Sequence, residues 1–138
     1  MKFTFFGHSS FLVETMGKKL LFDPFITPNE LAKEINVDAI KPDYILLSHG
    51  HADHVADVER IYENSEATII SNYEVVGWFG AKSLERGHPM NHGGSWEFDF
   101  GTVKLVNAVH SSSMPDGSYG GNPVGIIVKN TEGCFYYA

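Results

Sequence analysis

The chain carries 138 residues with 17 acidic against 10 basic side chains, a formal net charge of -7, and hydrophobic and charged fractions of 43% and 20%. Those values suit one globular domain able to bury about two-thirds of its unfolded surface, and they exclude wholesale disorder. Negative charge and scattered lysines and arginines argue against nonspecific nucleic-acid binding.

A single cysteine, Cys134, cannot form an intrachain disulfide, and its apolar strand-like surroundings suggest a small buried hydrophobe. The opening Met1-Lys2-Phe3-Thr4-Phe5-Phe6 is too short and too weakly charged for a secretory leader. No apolar run approaches the ~18 residues of a membrane span. A reducing, cytoplasmic setting without membrane contact is the expectation.

Three strands are predicted first, Lys2 to Phe6, Phe11 to Glu14 and Lys19 to Phe22, broken at Gly7 and Gly17 into an antiparallel meander. Asp23-Pro24 ends the third, because proline cannot extend the ladder. Asn29 to Ile35 reads as a short helix capped by Asn29. Tyr44 to Ser48, nearly all apolar, suits a strand covered on both faces. Val55, Val58, Ile61 and Tyr62 then recur at helical spacing and predict an amphipathic helix over about 54–63. Ala67 to Ser71 returns as a strand and Tyr73 to Phe79 as a further helix, an order that implies a parallel crossover. Residues 87–94 read as a Gly, His and Pro loop. Strands follow at Trp96 to Phe100, Thr102 to Val109, Val124 to Val128 and Cys134 to Tyr137, with Gly101 at a hairpin turn. No internal repeat or linker divides the chain, so residues 1–138 are taken as one mixed α/β domain.

The densest chemical signal is His49-Gly50-His51-Ala52-Asp53-His54, directly after the predicted strand at Tyr44. Three imidazoles and a carboxylate in six residues form a metal-site pattern, since neutral imidazole is the commonest ligand of borderline metals. In an extended segment His49 and His51 point to one side and can grip one ion together.

With Gly7-His8-Ser9-Ser10 in the opening meander, Phe22-Asp23-Pro24 at a strand end, the H-x-H-x-D-H loop and Ala108-Val109-His110-Ser111 at a later strand end, the chain resembles the metallo-β-lactamase superfamily. Among its branches it is most similar to uncharacterised metal-dependent hydrolases related to ascorbate-phosphate lactonases and N-acyl-phosphatidylethanolamine phospholipases. The resemblance implies an αβ/βα sandwich, represented here mainly by its first αβ half, a mixed sheet with flanking helices. It implies that His49, His51 and His110 ligate one metal, and that Asp53 and His54 belong to a second. It further implies a metal-activated water or hydroxide as nucleophile, which Asp53 would orient as the catalytic carboxylate. Zinc leads as the cofactor, with manganese, iron or nickel as alternatives and one or two ions per complete site.

The family's next elements, a turn whose aspartate bridges both metals and a final histidine, would fall after Tyr136-Tyr137-Ala138. The chain therefore reads as truncated on its C-terminal side, keeping three ligands for the first metal and two for the second. At most one tightly held ion is expected. A half sandwich would expose an apolar sheet face and an unpaired edge, so a homo-oligomer or a complementing C-terminal half is the expected partner.

Weaker signals surround this motif. His8 and Asp23 lie on the expected rim and suit substrate contact or a carboxylate supporting a ligand histidine. Asp57 reads as a residue favoured by the dipole at a helix start, with no other task. His88 and His92 lie in a loop, and no base accompanies Ser111, Ser112 or Ser113 to make a nucleophilic serine. Two functions follow. One is a hydrolase of a small ester, lactone or phosphodiester; the other is a non-catalytic metal-binding fragment or module with an incomplete site.

Overall fold

The computed structural model describes residues 1–138. Ten strands form two sheets, with three short helices on one side. β1 (Lys2–Gly7), β2 (Ser10–Thr15) and β3 (Lys18–Phe22) make the expected antiparallel meander. β4 (Tyr44–Leu46), β5 (Thr68–Asn72) and β6 (Gly87–Met90) add on in parallel, giving a six-stranded sheet in the order β1-β2-β3-β4-β5-β6. The second sheet is antiparallel and four-stranded, ordered β10-β9-β8-β7, from β7 (Ser95–Phe98), β8 (Gly101–Asn107), β9 (Val124–Asn130) and β10 (Gly133–Tyr137).

Alternation along the central strands explains the layering. Leu21, Ile45 and Ile69 point into one core with Val55, Val58, Ile61, Val75 and Phe79 from the helices. Their neighbours Leu20, Phe22, Leu46 and Ile70 point the other way, against Val103, Leu105, Val124, Ile126 and Val128 of the second sheet. Successive side chains leave a strand on opposite faces, so a strand buried on both reads as an unbroken apolar run. The αβ half expected from the sequence is present, and a second sheet lies against it. That second sheet corrects the expectation of an exposed apolar face: β8 and β9 cover it, and the edge strands are β1 and β6 in the first sheet and β7 and β10 in the second.

Five local expectations need revision. The helix anticipated over Asn29 to Ile35 is a single 3-10 turn, Glu30–Ala32, capped by the side chain of Asn29, and a second such turn, Val37–Ala39, capped by Asn36, follows it. The helix after the histidine loop is split into α1 (Ala52–Val55) and α2 (Val58–Glu63) at Asp57. Asp57 is buried, and its carboxylate accepts from the backbone N–H groups of Ile26 and Thr27 at 2.7 and 2.8 Å. Its task is therefore to fix the loop leaving β3 rather than to face a helix dipole. Gly87–Met90 is strand, not loop; at the sheet edge the missing N–H of Pro89 costs no ladder bond. Cys134 is exposed, because Phe135 and Tyr137 take the inward positions of β10 and leave its parity facing out. The helix expected over Tyr73 to Phe79 is α3 (Tyr73–Gly80), started by Asn72, whose side chain accepts from Val75 N–H. No helix is long and apolar enough to cross a membrane.

Candidate metal centre

Strand ends converge at one rim. His49 and His51 follow β4, His110 follows β8, His8 occupies the β1–β2 turn, Asp23 follows β3, and Asp53 and His54 lie in α1. The second sheet is fastened to this rim by Val124 N–H, which donates to Ser48 C=O at 2.9 Å. Residues sixty positions apart thus share one cleft of about 520 Å³, lined by Ser48, His49, His54, His110 and Tyr137 among others.

Ligand atoms of His49, His51 and His110 all lie within 4.8 Å of one another. His49 Nε2 stands 3.0 Å from His51 Nδ1, and the His110 ring centroid is 4.8 and 5.1 Å from theirs. Two nitrogens bound to a tetrahedral cation at about 2.0–2.1 Å would lie about 3.3 Å apart, close to the spacing found. His49 is buried, and its pKa is lowered to about 4, first by burial and then by the charges of His54, His51 and His110 against a pull from Asp23. It is therefore neutral at pH 7, the form a metal requires. This donor set fits a divalent cation.

Tautomers are set by a buried carboxylate. Asp23 is wholly buried and accepts from Ser48 N–H at 2.8 Å, the Ser48 hydroxyl, His54 Nδ1–H at 2.7 Å and the Tyr137 hydroxyl at 2.8 Å. The Ser48 hydroxyl, donating to Asp23, accepts in turn from His49 Nδ1–H at 2.9 Å. In their neutral forms both His49 and His54 therefore carry the proton on Nδ1 and turn Nε2 to a cation, which in binding takes the place of any second proton on His54. Burial lowers the His54 pKa, but its hydrogen bond and charge pairing with Asp23, with the Asp53 charge, outweigh burial and raise it. Burial also pushes Asp53 up, and its own backbone N–H bond with the His54 and His8 charges brings it below the usual value. Tyr137 is pushed up, first by burial and then by the Asp23 charge.

Two further groups have ligand spacing. His8, Asp53 and His54 form one, and Asp23, His49 and His54 the other. In the second, Asp23 already accepts four hydrogen bonds, so that group is an orienting network rather than a cation site. His88 instead packs against the rings of Trp96 and Phe98 at 5.1 and 4.9 Å, and neither it nor His92 joins the cluster.

Several supports were not legible beforehand. The Ser112 hydroxyl accepts from Gly50 N–H at 3.2 Å and donates to Gly120 C=O at 2.8 Å, pinning the histidine loop to the 120 loop. Asn72 Nδ2 donates to Gly120 C=O and Asn122 C=O at 2.7 and 2.9 Å. Ser111 Oγ lies 3.4 Å from His51 Nε2. A run of small polar residues after His110 was the available signal, but what it would hold was not.

Known proteins resemble this chain. A Flavobacterium johnsoniae protein described as a UPF0173 metal-dependent hydrolase is 53% identical over 138 residues, covering all of this chain and 61% of the relative. Another of that description, from Christiangramia forsetii, is 48% identical with the same coverage. The chain thus spans about 61% of the length of these curated relatives. Igni18, a metallo hydrolase from Ignicoccus hospitalis, superposes with a TM-score of 0.84 at 33% identity, over 99% of this chain and 59% of that one. CmlA, a diiron β-hydroxylase from Streptomyces venezuelae, shares the fold alone, with a TM-score of 0.74 at 13% identity over 99% of this chain and 28% of that one. The metallo-beta-lactamase superfamily model matches residues 3–123, and with the histidine cluster at the strand ends the chain belongs to that superfamily.

Proposed function

We propose that the protein is a metal-dependent hydrolase of a small ester, lactone or phosphodiester, with zinc the leading cofactor. The observation that carries this reading is the convergence of His49, His51 and His110, with ligand atoms within 4.8 Å of one another on the rim of an open cleft. Three imidazoles leave a tetrahedral cation one open position, the pattern of catalytic rather than structural zinc. Once bound there, a cation supplies Lewis acidity and an activated water at neutral pH. The curated relatives described as metal-dependent hydrolases support the reaction class.

This chain's residues divide the remaining work. Asp23 and Ser48 fix the His49 and His54 rings through their Nδ1 atoms and leave their Nε2 atoms as the ones that face a cation. Asp53 presents a half-exposed carboxylate beside His54 and, in this reading, orients the attacking water and takes its proton. A mainly apolar groove from Phe11 and Phe22 to Phe135 and Tyr137 adjoins the cleft through Ser9 and Tyr136 and offers space for an apolar substituent. The exposed, unpaired thiol of Cys134 accords with a reducing cytoplasmic setting.

The test compares wild type with His51→Ala for metal content per chain and for turnover of an aryl ester, a lactone and an aryl phosphodiester. Wild type should hold zinc and turn over at least one of the three; the variant should lose both. Zinc binding without turnover would favour the alternative reading of a non-catalytic metal-binding module. An unchanged metal content in His51→Ala would sink the reading.

A further inference from the structure

We infer that Ser112 is a positioning residue of the metal centre: its hydroxyl ties the segment that carries His110 to the backbone between His49 and His51, and so sets how the three imidazoles face one another. This rests on the hydrolase reading above.

The trio comes from two distant segments, and strand ends alone bring those segments only to the same rim. The His49 ring is held by the Ser48 hydroxyl at 2.9 Å and the His54 ring by Asp23 at 2.7 Å. The exposed His110 ring takes no such bond, so its place depends on the backbone that carries it. Two residues further on, the Ser112 hydroxyl accepts from Gly50 N–H at 3.2 Å. The same hydroxyl donates to Gly120 C=O at 2.8 Å, and Gly120 N–H donates back to Ser112 C=O at 3.2 Å. A hydroxyl has one proton to give and lone pairs to receive, so both of its contacts hold at once.

The far end of this relay is anchored in the fold. Asn72, 1% exposed at the end of β5, donates through Nδ2 to Gly120 C=O and Asn122 C=O, while its Oδ1 accepts from Val75 N–H at the start of α3. Glycine stands at each crossing, because a Cβ at Gly120 would strike Ser112 Oγ and one at Gly121 would approach Asn72 Nδ2 at 2.7 Å. From α3 to the histidine loop every member is paired, and a fully satisfied network of this kind is rigid. Alanine at position 112 removes one link of it. Gly120 C=O keeps Asn72 and the backbone bond to residue 112 persists, so the loop stays in place while Gly50 N–H loses its partner.

The test compares wild type, Ser112→Ala and Ser118→Ala for zinc affinity, by competition with a chromophoric chelator, and for hydrogen exchange at the Gly50 amide. Ser118 lies in the same loop, but its hydroxyl bonds Asp116 at 2.6 Å and touches neither histidine segment, so its loss loosens the loop without breaking the relay. Partners that orient a metal ligand are worth about 10- to 100-fold in affinity. Ser112→Ala should weaken zinc binding by that factor and speed Gly50 exchange in the metal-free protein; Ser118→Ala should leave both as in wild type. Wild-type zinc affinity in Ser112→Ala, or an equal loss in Ser118→Ala, would overturn the assignment. Should Ser112→Ala not fold, a freely exchanging Gly50 amide in metal-free wild type would overturn it as well. If wild type itself took up no zinc, the hydrolase reading would fall instead.

Discussion

His54 Nδ1 lies 2.7 Å from Asp23 Oδ2, and this contact joins the end of β3 to the helix that closes the histidine loop. Because Asp23 also serves Ser48 and Tyr137, one buried carboxylate aligns two imidazoles and the last strand.

Replacing Asp23 by asparagine should show that dependence. An amide keeps the shape but turns a donor toward groups that already donate. Leaving a buried donor unpaired costs about 1–3 kcal/mol, more where the lost partner was charged. Asp23→Asn should lower the thermal midpoint of the metal-free protein and weaken zinc binding by about 10- to 100-fold. Tyr137→Phe removes only one of the four donors and should cost about 1 kcal/mol while leaving zinc affinity near wild type. Calorimetric unfolding and zinc titration check both; equal zinc affinities in wild type and Asp23→Asn would remove Asp23 from the site.

Gly50, between the first two imidazoles, has no room for a side chain. A Cβ there would crowd Met114 Sδ and stand 3.0 Å from the backbone oxygen of Ser113. The thioether can swing aside, but the backbone of the segment after His110 cannot. Gly50→Ala should destabilise by about 1–3 kcal/mol, as overpacking does, and should weaken zinc binding by displacing His49 or His51. Gly77, exposed in α3 with nothing within 4 Å of an added Cβ, supplies the contrast. Gly77→Ala should stabilise by about 0.5–1 kcal/mol with no change in zinc affinity. Denaturant unfolding with metal titration reads both effects.

What the sequence made legible was local. The histidine loop declares its chemistry within six residues, and the strands with β-branched or aromatic alternation fall within a residue or two of their observed ends. His110 was reached only through a family resemblance, because nothing near Ala108-Val109-His110 states which distant loop it meets. The network of Asp23 was hidden for the same reason: its donors come from the end of β4, from α1 and from β10, and tertiary packing alone brings them together. β6 was missed because Gly87 and Pro89 suppress strand propensity, and an edge position in a parallel sheet tolerates both. The break between α1 and α2 was invisible to apolar spacing, which stays in phase across it: Val55, Val58, Ile61 and Tyr62 are all buried although Asp57 interrupts the helix.

Self-association is the next expectation. β1 is an edge strand, and its backbone is unpaired on the outer side. On it Phe3 and Phe5 are 52% and 60% exposed, the first edge-on to Phe135 and the second against Phe11. An edge flanked by exposed aromatic rings invites pairing with a second copy. We propose a dimer through this side in solution. Sedimentation equilibrium at micromolar concentration should show it, and Phe5→Lys should shift the population toward monomer. A monomer under both conditions would refute the proposal.

Alkaline pH should weaken the fold through a tyrosine remote from the metal centre. The Tyr44 phenol is pushed up to about 12, first by burial and then by its hydrogen bond to Asp99 at 2.8 Å and that carboxylate's charge. Asp99 also pairs with Lys18 at 2.9 Å, which holds it ionised and facing the phenol. An unfolded tyrosine ionises near 10. Between about pH 10 and 12 the native state therefore binds the proton that the unfolded state has released, and stability falls as pH rises. The contribution is fully present below pH 10 and is lost as pH climbs through 12. Tyr44→Phe has no phenol to titrate, so its thermal midpoint should fall less steeply over that interval than the wild-type one. Tyrosinate absorbance should show one fewer late-ionising group in the variant. Parallel midpoint curves for the two proteins would show that the Tyr44–Asp99 bond does not hold the proton in solution.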